Sequence, residues 1–220
     1  MTKMARVYSL EGNIGSGKST LLKKLSIEGV TLVQEPVDMW EHIKDKEGET
    51  ILSKFYRDQD TYAFPFQMMA YISRLALLKK HIEANPTGVF LTERSVHTDK
   101  CVFAQMLYDA GKIEDINFQI YLRWFDEFIK DIPTSGFVYL KTSPDKCYER
   151  VVRRNRPGEQ LSLAYLANCH QYHDDWLSKC PNVLTVDGNV RHDDASYLET
   201  MNKIGRFVSA QCSLETKVAV

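Results

Sequence analysis

The chain has 220 residues, 44% hydrophobic and 26% charged, which is enough for one sizeable buried core and too short to argue for several. A formal net charge of -1 excludes the basic footprint of a duplex nucleic-acid binder or a membrane-surface protein, so neither partner is expected. The five cysteines (Cys101, Cys147, Cys169, Cys180 and Cys212) are odd in number and lack a Cys-x-x-Cys pair, which fits reduced thiols in a cytosol-like compartment and neither a disulfide framework nor a zinc site.

Residues 1–9 are too short and too polar for a signal peptide, and no apolar run approaches the roughly eighteen residues that span a bilayer, so a soluble, cytoplasmic protein is expected. Residues 5–11 read as a strand, followed by a glycine-rich turn and a helix starting over 19–26. Short apolar runs bounded by turn residues at 30–33, 88–92, 136–140 and 182–186 have the character of buried parallel strands. Between them, residues 64–84 place Phe66, Met69, Ile72, Leu75, Leu78 and Ile82 at spacings of three and four, a helical face that ends before Asn85-Pro86. Residues 115–130 repeat that pattern and stop before Pro133. Ser143-Pro144-Asp145 reads as an N-cap, a first-turn proline and an acid opening a helix to about residue 154, and a further helix is expected over 163–179. Strands alternating with helices predict an α/β fold with a central parallel sheet flanked by helices. No linker divides it, so a single domain over 1–220 is expected, with its core at about 5–208 and a loose tail at 213–220.

Gly12-Asn13-Ile14-Gly15-Ser16-Gly17-Lys18-Ser19 matches the phosphate-binding P-loop in full, with a strand before it and a helix after it. Its glycines let backbone N–H groups turn toward phosphate oxygens at a helix N-terminus, with Thr20 beside them. Lys18 is expected to bridge the β- and γ-phosphates of ATP, and the Ser19 hydroxyl to hold Mg²⁺. A regulatory GTPase would need Asn-Lys-x-Asp, and the nearest string, Asn202-Lys203-Ile204-Gly205, lacks the aspartate. Two apolar runs end in an acid, at Glu93 and Asp187, and only the first is followed directly by an arginine. That favours transfer chemistry over a water-splitting switch.

Glu35-Pro36-Val37 with Trp40, and Glu93-Arg94-Ser95, both follow strands, so they emerge on the P-loop side of a parallel sheet. A carboxylate, an arginine and a phosphate cradle around one crevice suit a kinase with an alcohol acceptor: the carboxylate takes the hydroxyl proton, and the arginine stabilises the transferring group. Gln67 lies on an otherwise apolar helix, where an amide needs a partner. Both its donor and its acceptor suit a base edge. Arg74 follows two turns later on the same face. Arg150, Arg153, Arg154 and Arg156 crowd one helix end, and Arg150 and Arg154, four apart, are expected to draw the triphosphate between them.

These motifs, taken in order with Phe66-Gln67, Ser73-Arg74, Asp99 and the run 150–159, resemble the deoxynucleoside kinases, with a distant relation to herpesvirus thymidine kinases. The resemblance covers about 5–208. It implies that Glu35 is the base acting on a 5′-hydroxyl, that Arg94 holds Glu35 and the phosphoryl group, and that Glu93 assists Mg²⁺. It also implies that Trp40, Phe66 and Phe103 line the nucleoside pocket, with Ile14, Leu52 and Phe55 beside them, and that Tyr56 and Glu159 bind the sugar 3′-hydroxyl. The pair Arg74 and Asp99, with the small Ala70, marks relatives preferring cytosine or purines, whereas the lid string Arg154-Asn155-Arg156-Pro157-Gly158-Glu159 is similar to the viral, thymidine-preferring type. Similar kinases pair through the helices equivalent to 64–84 and 115–130, which makes a homodimer the expectation. Alternatives are a thymidine-preferring kinase, a nucleoside monophosphate kinase, or a non-catalytic nucleotide switch that leaves Gln67, Arg74, Asp99 and Glu159 unexplained.

Overall fold

Strand β1 (Arg6–Glu11) runs through the middle of a parallel five-stranded sheet, where layers on both faces bury nearly every side chain it carries. The chain is seen as a computed structural model that describes residues 4–130, 132–156, 158–190 and 195–214, with side chains to 209. After β1 come helix α1 (Lys18–Lys24), β2 (Val30–Val33), the short helices α2 (Val37–His42) and α3 (Ile51–Arg57), and the long α4 (Gln59–Ala84). Strand β3 (Val89–Glu93) leads into a helical stretch made of α5 (Val96–Thr98), a π-helical segment (Asp99–Ala104) and α6 (Gln105–Asp109). Then follow α7 (Asp115–Ile129), β4 (Gly136–Lys141), α8 (Pro144–Arg154), α9 (Leu163–Leu177), β5 (Val183–Asp187) and α10 (Ala195–Leu214).

The strand order is β2-β3-β1-β4-β5. Side chains alternate across it with the period of two that a strand imposes. Val7 and Phe90 point into a core shared with α4 and α7, while Tyr8, Leu10, Leu91, Val138 and Leu140 point into the core under α1 and α10. The register pairs Leu10 with Glu93, so β1 and β3 end side by side and the P-loop emerges next to Arg94. Glu35 leaves β2 on the same edge of the sheet.

All five expected strands are present, to within a residue at each end. Helix α4 starts five residues before the expected 64, because the Asp58 carboxylate accepts the Thr61 N–H at 3.2 Å, and the helix absorbs the N–H that Pro65 lacks. Ser143 stands at the N-cap of α8 as expected but does not cap it by its side chain. Its hydroxyl and its N–H both donate to Asn189 Oδ1, at 3.1 and 3.0 Å, tying α8 to the turn after β5. Ser213 and Leu214, expected in a loose tail, close α10, while residues 215–220 and Pro157 of the lid lie outside the described residues. Among the described residues no helix is long and apolar enough to cross a membrane.

Candidate active site

A cavity of about 600 Å³ opens at the carboxyl edge of the sheet, with the P-loop at one end and α4 at the other. The loop's shape depends on glycine. Gly15 has φ +78°, and a Cβ there would stand 2.5 Å from the carbonyl oxygen of Cys147 in α8. The Asn13 side-chain amide donates to Leu166 O at 2.8 Å while its Oδ1 accepts the Ile14 N–H at 2.8 Å, so Asn13 anchors the loop to α9. Ile14, Gly15, Gly17, Lys18, Ser19 and Thr20 face the cavity, whereas Gly12, Asn13 and Ser16 form its support.

Lys18 is buried, and its Nζ donates to the carbonyls of Gly12 and Asn13 at 2.9 and 2.7 Å and to Ser16 Oγ at 3.3 Å. Burial, with Arg94 adding repulsion, pulls its ammonium down to about 7 against the attraction of Glu93 and Glu35. The Ser19 hydroxyl donates to Glu93 Oε1 at 2.5 Å. One hydroxyl and one carboxylate beside a phosphate loop fit magnesium, which takes few protein ligands and completes its octahedron with phosphate oxygens and water. Among the described residues there is no cluster of three acidic, histidine or cysteine side chains that would hold a cation without phosphates.

The α4 end is a line of buried ion pairs. Arg94 Nη1 donates to both Glu35 oxygens at 3.0 Å, Arg74 donates to Glu35 from one terminal nitrogen, and from the other to Asp99. Burial alone would raise the Glu35 carboxyl, but Arg94 and Arg74 outweigh it and hold it at about 2. Burial pushes Asp99 the other way, up to about 6, against the opposing charge of Arg74. Aromatic rings support the two guanidinium groups: Arg74 lies 5.0 Å from the Trp40 ring centroid, and Arg94 lies 5.2 Å from that of Phe103. Trp40 is itself fixed by its indole N–H donating to Ser73 Oγ at 2.8 Å, and Phe55 stacks on Phe66 at 4.5 Å. Two buried acceptors on this wall, Gln67 Oε1 and Asp99 Oδ2, have no hydrogen-bond partner.

The lid arginines separate. Arg150 donates to the carbonyls of Ser16 (2.6 Å) and Gly188 (3.0 Å), and Arg154 pairs with Glu159 at 2.5 Å. The two guanidinium groups thus have separate protein partners, as buried or half-buried cations require. Tyr56 OH donates to Glu159 Oε1 at 3.5 Å. Arg156 and Glu159 also line the cavity, as do Arg153 and Tyr165, two residues given no role from sequence. Arg153 is one of four clustered arginines with nothing to single it out, and Tyr165 is one of eleven tyrosines, marked only by the helix N-terminus that Ser162 caps at 3.1 Å.

A family model described as deoxynucleoside kinase matches residues 8–209. A probable deoxycytidine kinase of Fowlpox virus (strain NVSL) is 37% identical over 212 residues, covering 91% of this chain and 84% of the relative. Deoxycytidine kinase 2 of Gallus gallus is 34% identical over 200 residues, 80% of this chain and 75% of the relative. Mitochondrial thymidine kinase 2 of Homo sapiens is 33% identical over 177 residues, 79% of this chain and 64% of the relative, so the chain spans somewhat under two thirds of that protein.

Proposed function

Given that the chain belongs to the deoxynucleoside kinase family and is an ATP-using enzyme that phosphorylates a nucleoside, we propose that its preferred acceptor is the 5′-hydroxyl of deoxycytidine or of a purine deoxynucleoside. The observation that carries this is the pair of partnerless buried acceptors, Gln67 Oε1 and Asp99 Oδ2, on one wall of the cavity. An exocyclic amine, as on cytosine or adenine, has two N–H donors to offer them. Thymine would set a carbonyl oxygen against Asp99, and an unmatched buried polar contact costs about 1–3 kcal/mol, or roughly tenfold to a hundredfold in discrimination.

In this reading Glu35 orients the 5′-hydroxyl and takes its proton. A carboxylate held at about 2 is a weak base, and a weak base suffices, since phosphoryl transfer passes through a loose transition state in which the nucleophile keeps its proton until late. Arg94 holds Glu35 by two bonds and keeps Nε and Nη2 without partners, so it has donors left for the transferring group. Tyr56 and Glu159 take the 3′-hydroxyl, which draws Glu159 away from Arg154 and leaves that arginine for the triphosphate. Lys18 exchanges the Gly12 and Asn13 carbonyls for β- and γ-oxygens. Ser19, with Glu93 behind it, would hold Mg²⁺, which would neutralise phosphate charge. Transfer is in line, with no covalent enzyme intermediate.

The same reading makes the chain one catalytic domain of a homodimer in a reducing, cytoplasmic setting, without a nucleic-acid partner. The exposed apolar side chains Ile72 on α4 and Ile116, Ile120 and Trp124 on α7 support the dimer, and Cys101, Cys147, Cys169 and Cys180, all free, support the compartment. Incubation with Mg-ATP and each of the four deoxynucleosides, quantifying the 5′-monophosphates, tests the proposal. Turnover led by deoxycytidine or a purine supports it. Thymidine in the lead, as the name of the human relative would suggest, removes the base preference and leaves the enzyme class.

A further inference from the structure

Arg94 follows β3 with φ 58°, in the left-handed region that a long side chain occupies only when its surroundings enforce it. Two backbone contacts hold the residue itself. Its N–H donates to Leu10 O at 3.0 Å, and its carbonyl accepts the Thr92 hydroxyl at 2.8 Å. The peptide that follows is held by a different residue, Glu11, the last of β1, which is completely buried. Its Oε1 accepts the Ser95 N–H at 3.0 Å and the Ser95 hydroxyl at 2.7 Å, and its Oε2 accepts the Thr98 hydroxyl.

We propose that Glu11 is a positioning residue for phosphoryl transfer, fixing the turn that aims Arg94 at the reacting group. Its carboxylate does not line the cavity, and all three of its side-chain bonds go to the segment directly after Arg94. Val7, on the same face of β1, shows that an apolar side chain is accommodated there, yet at position 11 the sheet buries a charge. A buried carboxylate is tolerated only when its lone pairs are filled, and here the N-terminus of the helical stretch 96–109 adds its partial positive charge. Glu11 also directly precedes Gly12, so one residue ties the start of the phosphate loop through its backbone to the Arg94 turn through its side chain. The spacing between phosphate cradle and guanidinium is thereby set from a single point. Small errors in such spacing are costly in rate, and they act on kcat rather than on ground-state affinity.

This inference rests on the role given to Arg94 above, and the experiment separates the two. In the full chain, Glu11→Ala is compared with Glu11→Gln, Ser95→Ala and Arg94→Lys, with kcat and KM for deoxycytidine and ATP normalised to folded protein by circular dichroism. We expect Glu11→Ala to lower kcat about tenfold to a hundredfold with both KM values within about threefold. Glu11→Gln keeps an acceptor for Ser95 and recovers most of that loss. Ser95→Ala, which removes one bond and leaves the core intact, lowers kcat about threefold to tenfold and decides the matter if Glu11→Ala does not fold. Combined with Arg94→Lys, Glu11→Ala costs little more, because both changes disturb one interaction. Wild-type kcat in folded Glu11→Ala or, failing that, in Ser95→Ala overturns the inference, as does full additivity with Arg94→Lys. An unchanged kcat in Arg94→Lys alone would instead strike at the reading of the site.

Discussion

On the acceptor side, Asp99, Arg74, Glu35 and Arg94 form an unbroken line of ion pairs whose side chains are each no more than 9% exposed. On the donor side, Lys18 gives its ammonium to carbonyls of its own loop, and Arg154 remains 38% exposed in a pair with Glu159. In the proposed reading both halves bind polar ligands, yet only the first has its charges paired side chain to side chain throughout. The difference follows from what each ligand brings. A neutral nucleoside supplies no charge, so the protein must supply both members of every pair. A triphosphate supplies several negative charges, so cations can wait on contacts that are readily exchanged.

The comparison breaks most severely at Glu35, the charge shared by Arg74 and Arg94. Glu35→Gln is expected to lower kcat by about 10²- to 10⁴-fold, the usual contribution of a positioned base, in an assay of monophosphate formation. Because folding depresses this carboxyl from 4.5 to about 2, its ion pairs stabilise the protein fully above about pH 4.5 and lose that contribution as pH falls toward 2. The acid limb of a thermal-unfolding profile should therefore flatten in Glu35→Gln.

A smaller effect sharpens the base-reading half. Asp99→Asn places an N–H where the proposed reading puts an exocyclic amine, so the kcat/KM ratio of deoxycytidine to thymidine should fall about tenfold to a hundredfold in a competition assay. On the donor side, Gly15→Ala combines a strained φ with a clash against the Cys147 carbonyl. It should weaken ATP binding about tenfold or more while deoxycytidine binding, followed by calorimetry, stays near wild type. The smallest signal is a proton. Lys18 sits at about 7 in the free protein and is raised by phosphates, so ATP binding at pH 8 takes up a substantial fraction of one proton, and at pH 5.5 almost none from this group. Calorimetry in buffers of differing ionisation heat reads that difference.

The strands were legible because buried parallel strands are short apolar runs, and the P-loop because its spacing is fixed by phosphate geometry. Gln67 could be singled out as an amide on an apolar helix and Arg74 as its neighbour two turns on, whereas Asp99 was marked only by the family resemblance, and all three line one cavity. Helices α2 and α3 were not foreseen, since six or seven residues carry too little periodicity. Nor was the π-helical segment that carries Asp99 and Phe103, because one extra residue per turn leaves no mark on composition. Glu11 was read as the end of a strand, for its meaning lies in Ser95 and Thr98, 84 and 87 positions away. The partners of Arg150 are carbonyls, which no sequence pattern advertises.

Gly15 lies so close to Cys147 that the phosphate loop and the helix carrying the lid arginines are packed backbone to backbone, with no room for a side chain between them. The next place where the backbone departs from the helix is the turn at Asn155, whose φ of 47° ends α8. If turnover is set at this turn, kcat should fall with rising solvent viscosity as loop motions do, and a kcat independent of viscosity would place the limit elsewhere.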